Sequence, residues 1–221
     1  MIVCVSELSF FIFEIVNKYV RLLKYIDLII SRLKQSVYQH CPNYKRLILY
    51  KKTQLIILSD LYGRSKINWE QAYINHFQDK YNVQYYDCCD LGEVDKTDYS
   101  QENLHQQFVR FGIEKAIQNL LKLEKKEVTI LAFSIGGTIA WKAALNGLKV
   151  QKLIALSATR LRYETEKPNC DIDLYYGEND RFQPKKDWFN MMNIEPIFLE
   201  NKEHDFYRMK GFQNLSGLDD C

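Results

Sequence analysis

The chain has 221 residues and a formal net charge of +2, with 47% hydrophobic and 26% charged residues. These values exclude wholesale disorder and collagen-like or low-complexity architectures, and so even a charge balance gives no reason to expect a nucleic-acid partner. A chain of this length buries one sizeable core without disulfide or metal staples; its six cysteines, none at C-x-x-C spacing, read as free thiols in a reducing cytoplasm.

Residues 8 to 38 come first in chain order. Glu14, Lys18, Arg21, Tyr25, Leu28 and Arg32 recur at steps of three or four, and an apolar set from Phe11 to Leu33 covers the rest of the circumference. This is the pattern of an amphipathic helix with a broad apolar face. Charges at Glu14, Lys18, Arg21, Lys24 and Asp27 would fall mid-span in a membrane, so the segment is not expected to cross one. Nor does it read as a signal peptide, because no basic n-region precedes Phe10 and no A-x-A site follows. Its apolar face is expected to pack on the body, on a second copy in a homodimer, or on a membrane surface as a peripheral contact. A further alternative is that the segment is not normally made. No internal Met precedes Met191 to decide between them.

His40-Cys41-Pro42-Asn43 marks a boundary, dividing an N-terminal extension (1–41) from a main domain (42–221). Arg46–Tyr50 and Gln54–Leu58 are strand-length apolar runs separated by Lys51-Lys52-Thr53, which suggests a hairpin. Helix is expected from Trp69 to Lys80 and strand from Val83 to Tyr86. A polar loop from Asp87 to Ser100 leads into a long helix from Glu102 to Lys122. The remaining strands are expected at Val128–Phe133, Lys152–Leu156, Asp171–Tyr176 and Glu195–Leu199. Helices fall at Gly136–Asn146 and Pro184–Met192, and a last short helix near Asp205. Alternation at this rhythm implies an α/β fold, a mostly parallel sheet with helices on both faces.

The chemistry concentrates at Ala132-Phe133-Ser134-Ile135-Gly136-Gly137, where a buried strand ends at a serine and a helix opens at once. Such a turn lifts the serine oxygen out of the sheet edge, and the helix N-terminus aims free N–H groups at a developing oxyanion. The usual G-x-S-x-G reads here as A-F-S-I-G, with the small Ala132 at the first position. Two other roles are open to Ser134 on this pattern: an N-cap, or part of a phosphate-binding turn. A nucleophilic serine needs a base. Of the four histidines, His40 lies in the linker and His76 and His105 inside expected helices. His204 follows the last strand in a polar loop. A carboxylate should follow the preceding strand, where Asp180 is the best candidate and Glu178 the runner-up. No histidine at metal-ligand spacing accompanies Asp87-Cys88-Cys89-Asp90, so no metal site is expected.

The motifs A-F-S-I-G-G, Y-G-E-N-D-R-F-Q-P and N-K-E-H, together with the chain order Ser134, Asp180, His204, resemble the α/β-hydrolase superfamily over residues 46 to 210. The chain is most similar to its short bacterial serine hydrolases and esterases. The stretch from Leu156 to Asp171 leaves no room for a cap domain. The resemblance implies a catalytic triad of Ser134, Asp180 and His204, with the backbone N–H groups of Ile135 and Leu61 as oxyanion donors. The usual His-Gly pair of the early loop is replaced by Ser59-Asp60-Leu61-Tyr62-Gly63, and a charged Asp60 near an oxyanion is unfavourable unless turned away. It further implies a serine carboxylesterase or thioesterase that acts on a small acyl ester or thioester without a cofactor. A catalytically degenerate binding or scaffold protein on the same fold is the alternative.

Overall fold

Leu55-Ile56-Ile57-Leu58 is fully buried within β1 (Gln54–Leu58), as an unbroken apolar run must be if both faces of the strand are covered. The computed structural model describes residues 52–64 and 68–214, together with the single position Ile29. The expected helix over 8–38, the run 46–50 and the boundary after residue 41 lie outside the described residues. All but one of the described residues belong to one compact unit, Lys52–Cys221.

After β1 come α1 (Glu70–Phe77), β2 (Asn82–Tyr86) and a short α2 (Cys88–Leu91). α3 (Gln101–Gln107) runs through a wider turn at Phe108–Gly112 into α4 (Ile113–Leu123). Then follow β3 (Val128–Phe133), α5 (Ile135–Leu145), β4 (Val150–Leu156), β5 (Asp171–Gly177), α6 (Lys186–Met192) and β6 (Ile197–Leu199). The six strands form one sheet in the order β2-β1-β3-β4-β5-β6. Every pairing among them is parallel.

Alternation along the strands divides the core between the two faces of the sheet. Ile56, Leu58, Ile130, Ala132, Leu153, Ala155, Leu174 and Tyr176 pack with α4, α5 and α6. Leu55, Ile57, Leu131, Phe133, Ile154, Leu156 and Tyr175 pack with Trp69, Tyr73 and Phe77 around α1 and with Phe206 and Tyr207 of a C-terminal turn. α5 is buried along almost its whole length, consistent with its lack of a polar face.

Two expectations change. Both edges of β1 are taken, by β2 and β3, so it has no free edge for a hairpin with residues 46–50. Within the expected loop 87–100, the Asp87 carboxylate accepts from the N–H groups of Cys89 and Asp90 and so starts α2. Between β4 and β5 lie only residues 157–170, with one 3-10 turn at Leu161–Tyr163, so no cap domain is inserted there. No helix among the described residues is long and apolar enough to cross a membrane.

Candidate active site

The strand order reverses at β1: the chain moves outward to β2 and returns on the other side to β3. The loops leaving the C-terminal ends of β1 and β3 therefore lie side by side, where open α/β sheets bind ligands. Ser134 occupies the first position after β3. Its backbone is left-handed, φ 50° and ψ −112°, a conformation that costs a non-glycine residue about 1–3 kcal/mol and needs surroundings that enforce it. The enforcement is visible. The Ser134 N–H donates to Leu156 O at 2.9 Å, and its carbonyl accepts from Gly137 and Thr159 N–H groups at 3.1 Å each. Gly136 permits the close approach of α5, because a Cβ there would stand 2.5 Å from Ser59 O. Ala132, the departure from the usual glycine, is buried without difficulty.

The Ser134 hydroxyl makes no N-cap bond to the helix it precedes. Its Oγ lies 3.0 Å from His204 Nε2, and His204 Nδ1 lies 2.9 Å from Asp180 Oδ2. An ionised carboxylate can only accept, so this contact places the imidazole proton on Nδ1 and leaves Nε2 to receive a proton from Ser134. Asp180 is buried, and its second oxygen accepts from Phe182 N–H at 2.9 Å. Glu178, the runner-up, is exposed and accepts from Asn201 N–H instead. Gly177 explains how the His204 loop reaches Asp180. A Cβ at this position would lie 2.3 Å from Lys202 O, and its absence lets the loop cross the end of β5. Asn179 N–H then donates to Lys202 O at 2.9 Å.

Ile135 and Leu61 line the same cleft as Ser134 and His204, a volume of about 440 Å³. Among the described residues neither amide hydrogen is taken up by a carbonyl. Asp60, the acidic residue beside them, is fully turned to other partners. Its carboxylate accepts from Tyr62 N–H at 2.9 Å, from Tyr207 OH at 3.2 Å and from the Arg208 guanidinium, with Nε at 2.9 Å. The loop is anchored from below by α2. Cys88 N–H donates to Ser59 Oγ at 2.8 Å, Cys88 Sγ to Ser59 O at 3.0 Å and Cys89 Sγ to Leu61 O at 3.2 Å. Burial pushes both thiols up, that of Cys89 to about 12, away from the thiolate form that a cysteine nucleophile uses.

The structure thus brings Ser134, Asp180, His204, Ile135 and Leu61 to one sheet edge and leaves Glu178 aside. Sequence reasoning missed the rest of the cleft: Arg160 and Arg162 after β4, Arg208 near the C-terminus, and His105, which lies on the rim and not on a remote helix surface. The only sequence signal for the first two was the paired arginines of Thr159-Arg160-Leu161-Arg162. Among the described residues no cluster of metal-ligating side chains occurs.

No family model matches the chain, and no curated protein matches it in sequence. Solved structures do resemble it in fold. Mouse alpha/beta hydrolase domain-containing protein 10 superposes with a TM-score of 0.57 at 13% identity, covering 77% of this chain and 90% of that one. A carboxylesterase structure from Nitrososphaera gargenis gives 0.54 at 14% identity, with 77% and 89% covered. A protein of the alpha/beta hydrolase superfamily from Xanthomonas campestris gives 0.53 at 15% identity, covering 74% of this chain and 98% of that one. The described residues have the α/β-hydrolase fold, with no cap domain between β4 and β5.

Proposed function

We propose that the protein is a serine hydrolase that cleaves a carboxylic ester or thioester through an acyl-serine intermediate. The observation that carries this reading is the continuous hydrogen-bonded path from Ser134 through His204 to the buried Asp180. Ser134 Oγ attacks the acyl carbon while His204 Nε2 takes its proton. Asp180 orients the ring and stabilises the imidazolium that forms. The amide groups of Ile135 and Leu61 hold the oxyanion, in a cleft where fixed dipoles act more strongly than in bulk water. His204 returns the proton to the departing alcohol or thiol. It then activates water, which attacks the acyl carbon and frees Ser134. Neither a metal nor an organic cofactor enters this scheme. A reducing cytoplasmic setting fits the free thiols of Cys88, Cys89 and Cys170.

Covalent labelling with a fluorophosphonate tests the proposal. Wild-type protein is expected to be labelled at Ser134, and Ser134→Ala is expected to lose both labelling and turnover of an activated ester. Loss of a triad member removes on the order of 10⁴–10⁶ of the rate. Retention of more than about a tenth of the activity by the alanine variant would remove Ser134 from the role. An unlabelled wild-type protein would favour a non-catalytic binding module.

A further inference from the structure

The cleft over Ser134 carries four arginines, and three of them find no carboxylate among the described residues. Arg208 is committed to Asp60. Arg160 and Arg162 instead lie over the ring of Tyr163, at 5.1 and 4.7 Å, and Arg162 also donates to Phe182 O at 3.0 Å. Arg181 lies over the ring of Phe182 at 5.1 Å. The cleft itself is lined by two carboxylates, the committed Asp60 and the exposed Asp205. Glu164, the carboxylate nearest to Arg160 and Arg162 in sequence, pairs instead with Lys142 of α5, at 3.1 Å. Three guanidinium groups without a carboxylate partner therefore line the space where a substrate would lie.

The segment bearing Arg160 and Arg162 is held in place, and held against the serine itself. Thr159 N–H donates to the carbonyl of Ser134 at 3.1 Å, and Thr159 O accepts from the Thr138 hydroxyl. Ala158 O accepts from the buried Tyr176 hydroxyl at 3.0 Å, and Glu164 O accepts from Trp188 Nε1 at 2.9 Å. Ser157 and Arg160 both adopt left-handed backbone, with φ of 50° and 62°. Two non-glycine residues in that region within four positions persist only where the surroundings enforce them, and such enforcement is common where side chains must be aimed. On the rim, His105 is held below the usual histidine range by partial burial and by the positive charges of Arg160 and Arg162, so the two guanidinium groups act on the same space.

We propose that the substrate is an acyl ester or thioester bearing an anionic group, a carboxylate or a phosphate, seated on Arg160 and Arg162 with Arg181 beside them. The inference rests on the serine-hydrolase reading above and names its substrate class. Guanidinium groups suit this task, since each can meet two oxygens of a carboxylate or phosphate in one plane and remains charged at any working pH. Stacking on Tyr163 and Phe182 orients the planar forks without consuming their charge.

Two matched ester pairs test the proposal. Methyl hydrogen glutarate against dimethyl glutarate places a carboxylate on the acyl side. 2-Acetoxyethyl phosphate against 2-methoxyethyl acetate places a phosphate on the leaving group. In at least one pair, kcat/KM of wild-type protein is expected to be about tenfold or more higher for the anionic member, and the favoured pair identifies the anion and its side. Arg160→Gln and Arg162→Gln should each lower that ratio about fivefold or more, and Arg160→Lys should lower it less. Lys149→Gln makes the same change in net charge at an exposed position before β4, at the opposite edge of the sheet, and should leave the ratio within about twofold. Protein that is labelled at Ser134 and turns over the neutral esters, yet shows no anionic preference in either pair, overturns this inference alone. A preference that survives in the Arg160→Gln/Arg162→Gln double variant also overturns it. Protein that is neither labelled nor active overturns the hydrolase reading and this inference with it.

Discussion

At the scale of single residues, the distinction between Asp180 and Glu178 is the sharpest the site offers. They stand two positions apart, yet one is buried against His204 and the other points to the surface. Asp180→Asn removes the negative charge and offers the ring an amide that favours the wrong tautomer. The rate is expected to fall on the order of 10⁴, with the fold retained by circular dichroism. Glu178→Gln should stay within about twofold, because its one bond to Asn201 is made in the open. The reverse ranking in steady-state assays would transfer the acid role to Glu178. His204→Ala should match Ser134→Ala. His105, by contrast, stands on the rim, and its replacement is expected to alter KM before kcat.

At the scale of elements, the site depends on how the β1 loop is tied to the C-terminal turn. Asp60 sits next to the amide proposed to hold the oxyanion, and the Arg208 guanidinium offsets its charge. Arg208→Met leaves a buried carboxylate unpaired beside developing negative charge. That variant is expected to lose about tenfold or more in kcat and to unfold at lower denaturant, since breaking a buried pair from one side commonly costs about 3–5 kcal/mol before solvent screening of the half-exposed arginine reduces it. Adding Asp60→Asn to Arg208→Met should recover most of both losses. A double variant as impaired as the single one would show that Arg208 acts through something other than the Asp60 charge. α2 supports the same loop from the other side, through Cys88 and Cys89.

At the scale of the whole molecule, the proposed catalytic residues all lie between Leu61 and His204, inside the unit Lys52–Cys221. The amphipathic pattern of residues 8–38 lies before it. Deleting residues 1–41 is expected to leave turnover of a small neutral ester within a few-fold of the full chain, about the tolerance expected for an extension outside the domain. A helix with the apolar stripe that this pattern predicts would need cover in water. Sedimentation and liposome flotation of both forms would show what provides it. A change from dimer to monomer on deletion identifies a second copy, and lost flotation identifies a lipid surface. Failure of the shortened chain to fold would move the segment into the core.

β1 and β3 were the most legible elements in the sequence, because a strand buried on both faces is an unbroken apolar run. Ser134 was legible because its turn demands small neighbours in a fixed order, and Asp180 and His204 because they end the last two long-range returns of the chain to the same sheet edge. Three features were decided only by the tertiary structure. Asp180 was separated from Glu178 by burial, which depends on the loop crossing over Gly177. Asp60 was made compatible with the site by Arg208, a residue 148 positions away. The arginine-lined cleft was assembled from loops after β1, β4, β5 and β6, and no local pattern reports which side chains distant segments will place together. Periodicity and turn chemistry act over a few residues and are written locally, whereas charge compensation and the lining of a cleft arise from contacts that exist only once the sheet has closed.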